Sequence, residues 1–293
     1  MDKAERKEQE TILGIIAGGV TAAGGFQAAG AAARIKYEDR KDMALVYSAF
    51  PCVAAGVFTS NVVKAAPVMW DKKIVSGGQP VHGIVVNSGI ANACTGRQGY
   101  RFCQETAQAA AQALQIPEDS VLVASTGVIG MQLPMERILS GVTALAGMLD
   151  DTREAASDAA HAIMTTDTVS KEVAVAVEIG GRRVTVGGMC KGSGMIHPNM
   201  CTMLSFVTTD AAISQELLLE ALQADVEDTY NMISVDGDTS TNDTCVLLAN
   251  GMAGNPKITE KNEDYAAFCK ALNFINESLA KQMAGDGEGA TAL

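Results

Sequence analysis

Aromatic side chains are scarce in this sequence of 293 residues: they make up 4% of it, and there is a single tryptophan. A core large enough for one big or two ordinary domains is nevertheless expected from the length. It must be built from small aliphatic side chains, with close approach between backbones.

An excess of positive charge is also missing. The formal net charge is −12, and no basic cluster stands out. This argues against nucleic acids and anionic membrane surfaces as partners. No apolar run is long enough to span a bilayer, and the charged first ten residues lack the apolar region of a signal peptide. We therefore expect a cytoplasmic protein.

Metal and redox motifs are absent too. The seven cysteines are scattered and contain no C-x-x-C pair, so they predict reduced and mostly buried thiols. The segment 236–243 is rich in aspartate like a calcium loop, but glycine stands second instead of sixth, and Leu247 occupies the twelfth place. We expect no metal and no organic cofactor.

The hydrophobic pattern mixes helices with strands, which predicts an α/β or α+β layered fold. Helices are predicted over 101–114, 134–149, 152–164 and 215–230, the last capped by Ser214, with a long final helix after residue 264. Strands are predicted at 43–47, 55–58, 81–86, 121–123, 203–207 and 245–248, and as a hairpin over 173–186 that turns at Gly180–Gly181.

The stretch from Lys191 to Asp210 joins a glycine-rich segment to a strand-like run, with Thr202 at the junction. A threonine hydroxyl in this setting can attack the preceding carbonyl, and the ester formed can hydrolyse. The freed α-amine can then act as the base for the same hydroxyl. An ordinary loop before a strand is the alternative reading of the spacing. His197 could line such a site, and Lys191 could hold a substrate carboxylate or be solvated.

Three further polar segments are predicted as loops. Asn87–Gly96 follows a buried strand, and so does Ser125–Gly127. In the second, a backbone N–H beside glycine and the Thr126 hydroxyl could form an oxyanion hole, or simply a strand-to-helix turn. Thr165–Thr168 ends a helix, where side-chain to backbone bonds are common.

Taken together, these segments resemble the ornithine acetyltransferase family, the glutamate N-acetyltransferases of arginine biosynthesis. The matching stretches follow one another along nearly the whole chain: GGVTAAGGFQAAG (18–30), AAGVFTSNVVKAAPV (54–68), VVNSGIANACTG (85–96), STGVIGMQLPM (125–135), IMTTDT (163–168), GGMCKGSGMIHPNMCTML (187–204), VDGDTSTNDT (235–244) and GDGEGAT (285–291).

The resemblance implies a fold shared with self-processing aminopeptidases and a chemistry like that of Ntn hydrolases. It implies a cut between Cys201 and Thr202, giving an α segment 1–201 and a β segment 202–293, assembled as an α2β2 heterotetramer. Thr202 would carry the acetyl group from N2-acetyl-L-ornithine to L-glutamate, and acetyl-CoA is a possible further donor.

Individual roles are implied by position in the motifs. Thr126 and Gly127 match the oxyanion-hole pair. The residues that match substrate contacts are Thr165 or Thr166, Lys191, Thr202 and Glu288.

The chain departs from the family pattern at Ile90, where asparagine is usual, at Val62, where arginine is usual, and at Cys201, where alanine is commoner. Family members also continue beyond the final motif, so we expect a fold that is incomplete at its C-terminus. Two other interpretations stay open. The protein could be a related self-processed threonine amidohydrolase or aminopeptidase, or it could be an inactive chain that folds only with other subunits.

Overall fold

The computed structural model describes residues 11–194, 203–233 and 240–287. The strands are β1 (Leu13–Ile16), β2 (Phe26–Ala31), β3 (Met43–Phe58), β4 (Val81–Ile90), β5 (Val121–Val128), β6 (Lys171–Ile179), β7 (Arg182–Lys191), β8 (Leu204–Thr209) and β9 (Thr244–Ala249). The helices are α1 (Ala66–Gly77), α2 (Gly96–Leu114), α3 (Met135–Gly147), α4 (Arg153–Ala162), α5 (Gln215–Asp228) and α6 (Glu263–Gly285). The fold is therefore mixed α/β, as predicted.

The long strand β3 joins the two halves of the sheet. Along the described chain the strand order is β1-β6-β7-β8-β9-β3-β4-β5, and β2 also pairs with β3. The first half of β3 pairs with β2 and β4, and its second half pairs with β9 after an irregularity between Tyr47 and Cys52. One apolar core lies against each half, with α1–α4 on the first and α5–α6 on the second.

Small residues bring the layers of the first core close together, as the scarcity of aromatics predicts. A Cβ atom placed on Gly30 of β2 would lie 2.2 Å from the carbonyl oxygen of Asp158 in α4. No real Cβ makes such a contact. Gly30 is therefore required by the close packing of this helix on the sheet.

Several local predictions are confirmed. Gly180 and Gly181 form the two-residue turn between β6 and β7, with φ of 56° and 72°, and these positive values suit a hairpin turn. Ser214 caps α5 by accepting a hydrogen bond from the Leu217 N–H. Four of the six described cysteines are buried and none is in a disulfide, although Cys94 is exposed.

Three predicted loop assignments are wrong. β4 continues to Ile90, and β5 continues to Val128, so Ser125–Gly127 lies in a strand. These two strand ends pair in parallel, Ser88 with Thr126 and Gly89 with Gly127. Lys191 is the last residue of β7 and pairs with Leu204. Pairing between distant segments outweighs the local preference of glycine for loops.

The ends of four strands meet at one edge of the sheet. Lys191 pairs with Leu204, Leu204 with Thr244, and Thr244 with Phe58. The start of β8, which follows Thr202 in the sequence, therefore lies between the end of β7 and the start of β9. No helix among the described residues has the length and apolar character needed to cross a bilayer.

Candidate active site

The predicted site residues divide into two groups. Thr126, Gly127, Thr165, Thr166 and Lys191 belong to the described part of the chain. Cys201, Thr202, Glu288 and His197 lie outside the described residues, as does the first half, 236–239, of the aspartate-rich segment 236–243. Within the described residues, no cluster of His, Cys, Asp or Glu could hold a metal ion.

The strand end at Thr126–Gly127 has an unusual backbone. Gly127 has φ of +128°, a conformation that residues with a side chain rarely adopt. A Cβ at this position would lie 2.3 Å from the carbonyl carbon of Gly89 on the paired strand. Thr126 itself is buried. The two parallel strands therefore approach so closely that only glycine fits, and the N–H groups at 126–127 are fixed in place.

A side-chain network holds the backbone on both sides of this strand end. The Ser125 hydroxyl donates to the Asn87 side-chain oxygen at 2.6 Å, and the Asn87 amide donates to the Ile90 carbonyl at 2.9 Å. Ile90 is buried at the end of β4, whereas Val62, the other departure from the family pattern, is 94% exposed. Isoleucine at position 90 is thus accommodated as a core residue.

Asn242 and Asp243 link the end of β5 to the start of β8. The Asn242 side-chain amide donates to the carbonyls of Ser125 and Ala91, both at 2.7 Å. The Asp243 carboxyl accepts the Met203 N–H at 3.1 Å. These two adjacent side chains therefore connect the backbone of β5 to Met203, the residue that directly follows Thr202 in the chain. We call them the Asn242–Asp243 clamp.

The Asp243 carboxyl is fully buried, and its second oxygen has no hydrogen-bond partner among the described residues. Burial raises its pKa well above the ordinary value, and this outweighs the opposing effect of the Met203 and Ser240 hydrogen bonds and of the Lys191 charge. Burial of this carboxyl group therefore disfavours its charged form.

Lys191 is buried, so the alternative prediction that its side chain is solvated is wrong. Burial lowers the pKa of its ammonium group, Lys171 adds to that effect, and Asp167 and Asp243 oppose it. Among the described residues, its Nζ forms no ion pair with a carboxylate within 4.0 Å, whereas Lys171 forms two. A buried ammonium group that forms no close ion pair with the described carboxylates favours an anionic ligand.

The loop of Thr165 and Thr166 is fastened to the end of β7. The Asp167 carboxylate accepts the Thr165 N–H at 3.0 Å and the Gly192 N–H at 2.7 Å. The hydroxyls of Thr166 and Ser193 lie 2.7 Å apart and form a hydrogen bond. The structure thus brings the two predicted threonines to the same place as Lys191.

Four buried polar residues around this site were given no role by the sequence analysis: Asp167, Lys171, Asn242 and Asp243. The last two stand immediately before a strand-like run, which is the one local signal that could have indicated them. Lys171 begins a strand, and nothing in the local pattern shows that its ammonium group is completely buried. Its ion-pair partners are Asp167 and Asp286, and the second of these is brought close to Lys171 only by the fold.

The arrangement has the parts that acyl transfer needs. It combines fixed backbone donors on β5, the start of β8 that follows a threonine, and a buried cation flanked by hydroxyl groups. A tetrahedral oxyanion is stabilised by donors that are already in place, and the cation suits a substrate carboxylate.

Comparison with known proteins shows which family the chain belongs to. A family model described as ArgJ family matches residues 27–293. The arginine biosynthesis bifunctional protein ArgJ of Symbiobacterium thermophilum is 55% identical over 280 residues, covering 95% of this chain and 69% of that protein. The chain spans about two thirds of the length of the curated relatives it matches.

Solved structures agree. The arginine biosynthesis bifunctional protein ArgJ of Bacillus halodurans matches with a TM-score of 0.63 and 40% identity, over 67% of this chain and 100% of that chain. The ornithine acetyltransferase of Mycobacterium tuberculosis, solved in complex with ornithine, matches with a TM-score of 0.59 and 39% identity, over 66% and 100%. A Burkholderia β-aminopeptidase at 12% identity and a TM-score of 0.58 shares the fold alone.

Proposed function

Because this chain belongs to the ArgJ family, we propose that it transfers an acetyl group from N2-acetyl-L-ornithine to L-glutamate through an acetyl-Thr202 intermediate. The observation that carries the proposal is the Asn242–Asp243 clamp. It joins the backbone of the oxyanion strand, at Ser125, to the N–H of the residue after Thr202. A nucleophile and an oxyanion hole must be held at a fixed separation for this chemistry.

Maturation precedes the transfer. The Thr202 hydroxyl attacks the Cys201 carbonyl, the peptide C–N bond breaks, and an ester forms. Water hydrolyses the ester and leaves a Cys201 carboxylate and a free Thr202 α-amine. The lengths of the solved relatives support this cut, because one whole chain of each corresponds to 66–67% of this chain. Residues 1–201 are about 69% of the 293. The two segments would assemble as an α2β2 heterotetramer.

The transfer then runs in two half-reactions. The Thr202 amine takes the hydroxyl proton while the oxygen attacks the acetyl carbonyl, and Thr126 and Gly127 stabilise the tetrahedral oxyanion. The C–N bond breaks, and ornithine leaves with that proton. The glutamate amine next attacks the acetyl ester and yields N-acetylglutamate and free Thr202. Every bond change occurs on threonine and the two amino acids, so no metal or organic cofactor enters.

Substrate recognition is assigned to the cation and the flanking loop. Lys191 binds the α-carboxylate that both substrates carry, with Thr165 or Thr166 beside it. Glu288 suits the side-chain ammonium group of ornithine by charge. Acetyl-CoA as a second acetyl donor would make the protein bifunctional, which is how its named relatives are described.

The experiment that tests the proposal is mass spectrometry of the chain with and without N-acetylornithine. We expect two fragments, 1–201 and 202–293, and one added acetyl group on the second fragment when glutamate is withheld. Adding glutamate should discharge the acetyl group as N-acetylglutamate. A chain that is never acetylated would overturn the proposal.

The amidohydrolase or aminopeptidase alternative is separated by the acceptor. Such an enzyme would release acetate or a cleaved peptide to water at a rate that glutamate does not change. Size-exclusion chromatography tests the remaining alternative, because a chain that needs other subunits to fold would elute as aggregate when expressed alone.

Lys191 gives the proposed reaction a pH dependence. Since burial lowers its pKa below the ordinary value of about 10.5, it loses its proton at a pH where an exposed lysine keeps it. The charged or titratable groups that act on it are Asp167, Lys171, Asp243 and Cys190. We expect the KM for N-acetylornithine to rise with pH before pH reaches about 10.5, because neutral lysine binds a carboxylate weakly. Steady-state kinetics across the alkaline range would measure this.

Lys191→Arg is the matched variant for this prediction. Arginine keeps its charge throughout the range. Its KM is expected to stay level with pH even if its absolute value is changed. An alkaline rise of equal size in both proteins would assign the effect to another group, such as the Thr202 amine.

A further inference from the structure

A completely buried lysine lies beside the proposed substrate site and has no role in the reaction described above. The Lys171 ammonium group contacts Asp167 Oδ1 at 2.8 Å, Asp286 Oδ2 at 2.5 Å and the Val169 carbonyl at 3.2 Å. The side chains of Lys171 and Asp167 are 0% exposed, and that of Asp286 is 4% exposed. All three ammonium donors are thus used inside the protein.

The two carboxylates extend this ion cluster to three separate segments. Asp167 accepts the N–H groups of Thr165 and Gly192, which belong to the threonine loop and the end of β7. Asp286 lies at the C-terminal end of α6 and accepts both the N–H and the hydroxyl of Thr168. Lys171 therefore joins the threonine loop, the segment after Lys191 and the end of α6, two residues before Glu288.

Both carboxylates of the cluster are negatively charged partners of Lys171. Burial would raise the pKa of Asp167, but the charges of Lys191 and Lys171 and the hydrogen bonds from Lys171 and Thr165 outweigh it and hold that pKa below its ordinary value. At Asp286 the hydrogen bonds from Lys171 and Thr168 likewise outweigh burial. Both carboxylates are therefore ionised. Asp167 forms its ion pair with Lys171, although its charge also acts on Lys191.

Stability alone does not account for such a cluster. Buried ion pairs cost desolvation free energy, and well-packed apolar side chains often replace them without loss of stability. The cluster does, however, fix the relative positions of segments that each carry a proposed substrate contact. Precise placement of binding groups changes rates strongly, since an error of about 1 Å costs roughly 10²-fold.

We propose that Lys171 is a positioning residue for this reaction: through Asp167 and Asp286 it holds the threonine loop and the segment leading to Glu288 around Lys191, and it keeps Lys191 free for the substrate carboxylate. This inference rests on the proposed function. Lys171 touches neither substrate nor the reacting atoms.

The test compares Asp286→Asn with the wild type, and Lys171→Met is the second variant. Asparagine keeps an acceptor for Lys171 and Thr168 but removes the charge, so the tether is weakened and the lysine is retained. We expect the KM for N-acetylornithine to rise roughly tenfold, the equivalent of one charge-assisted hydrogen bond. The kcat per acetylated enzyme should change less. Lys171→Met should show a larger rise if it folds.

Asp225→Ala is the matched control, because Asp225 also tethers α6, through hydrogen bonds from Asn273 and Asn276, away from the site. It is expected to lower stability and leave KM unchanged. An Asp286→Asn protein that keeps the wild-type KM, or that fails to fold while Asp225→Ala folds, would overturn the positioning role alone. An inactive wild type would instead overturn the proposed function and this inference with it.

Discussion

The Thr202→Ala chain is expected to stay as a single polypeptide of 293 residues and to lose acetyl transfer. Without the hydroxyl, neither the attack on the Cys201 carbonyl nor acetyl-enzyme formation is possible. Removal of a catalytic nucleophile costs roughly 10⁶-fold in kcat in a well-studied protease. Intact-mass measurement reports the cleavage, and a coupled assay for N-acetylglutamate reports the transfer.

Thr202→Ser separates the hydroxyl from the rest of the side chain. Serine keeps the nucleophilic oxygen and, after cleavage, the α-amine that serves as base. We expect slower but complete cleavage and measurable transfer. If the alanine chain were still cut between residues 201 and 202, a protease or another group would be responsible, and Thr202 would not be the self-processing residue.

Much of the fold could be predicted from local pattern. The amphipathic repeat at 134–149 predicts α3, and Gly180–Gly181 predicts the turn of the β6–β7 hairpin. Local pattern failed at the ends of the parallel strands β4 and β5. Ser125–Gly127 and Asn87–Ile90 look like polar, glycine-rich loops, yet they are hydrogen-bonded to each other along their length. Such pairing depends on a segment some 38 positions away, so no local window contains it.

For the candidate site, the motifs predicted which residues are neighbours but not how deeply they are buried. The motifs indicated Lys191 and the threonine loop as neighbours, and the structure brings them together through Asp167. Burial of Lys191 could not be foreseen, because it depends on strands β6 and β8 packing on both sides of β7. Lys171 follows Asp167 by four positions, a spacing that suggests a helix, but the two residues lie on a strand and a loop.

Both halves of the sheet contribute to the proposed chemistry. Strand β5, with the proposed oxyanion hole, belongs to the first half, whereas Lys191, β8 and the clamp belong to the second. Strand β3 and the Asn242–Asp243 clamp connect these parts near the site. The catalytic geometry therefore depends on how closely the strand ends at Gly89 and Gly127 pack, since Asn242 is bonded to the residue two positions before Gly127.

Gly127→Ala tests that dependence. Alanine would be strained at φ of +128°, and its Cβ would lie 2.3 Å from the Gly89 carbonyl carbon. The strands must separate, at a cost of about 4 kcal/mol in unfolding free energy from strain and overpacking. The displaced donors should lower kcat by about 10²–10³-fold.

Gly130→Ala is the matched control. The φ of Gly130 is +81°, but no atom lies within 4 Å of an added Cβ, so only backbone strain of about 1–2 kcal/mol is expected. Urea unfolding of both variants in the uncut Thr202→Ala chain measures stability without separation of the two segments, and kcat is measured in the cleaved enzyme. Equal stability losses for the two glycines, with an unchanged kcat for Gly127→Ala, would show that close strand packing at this point does not shape the oxyanion hole.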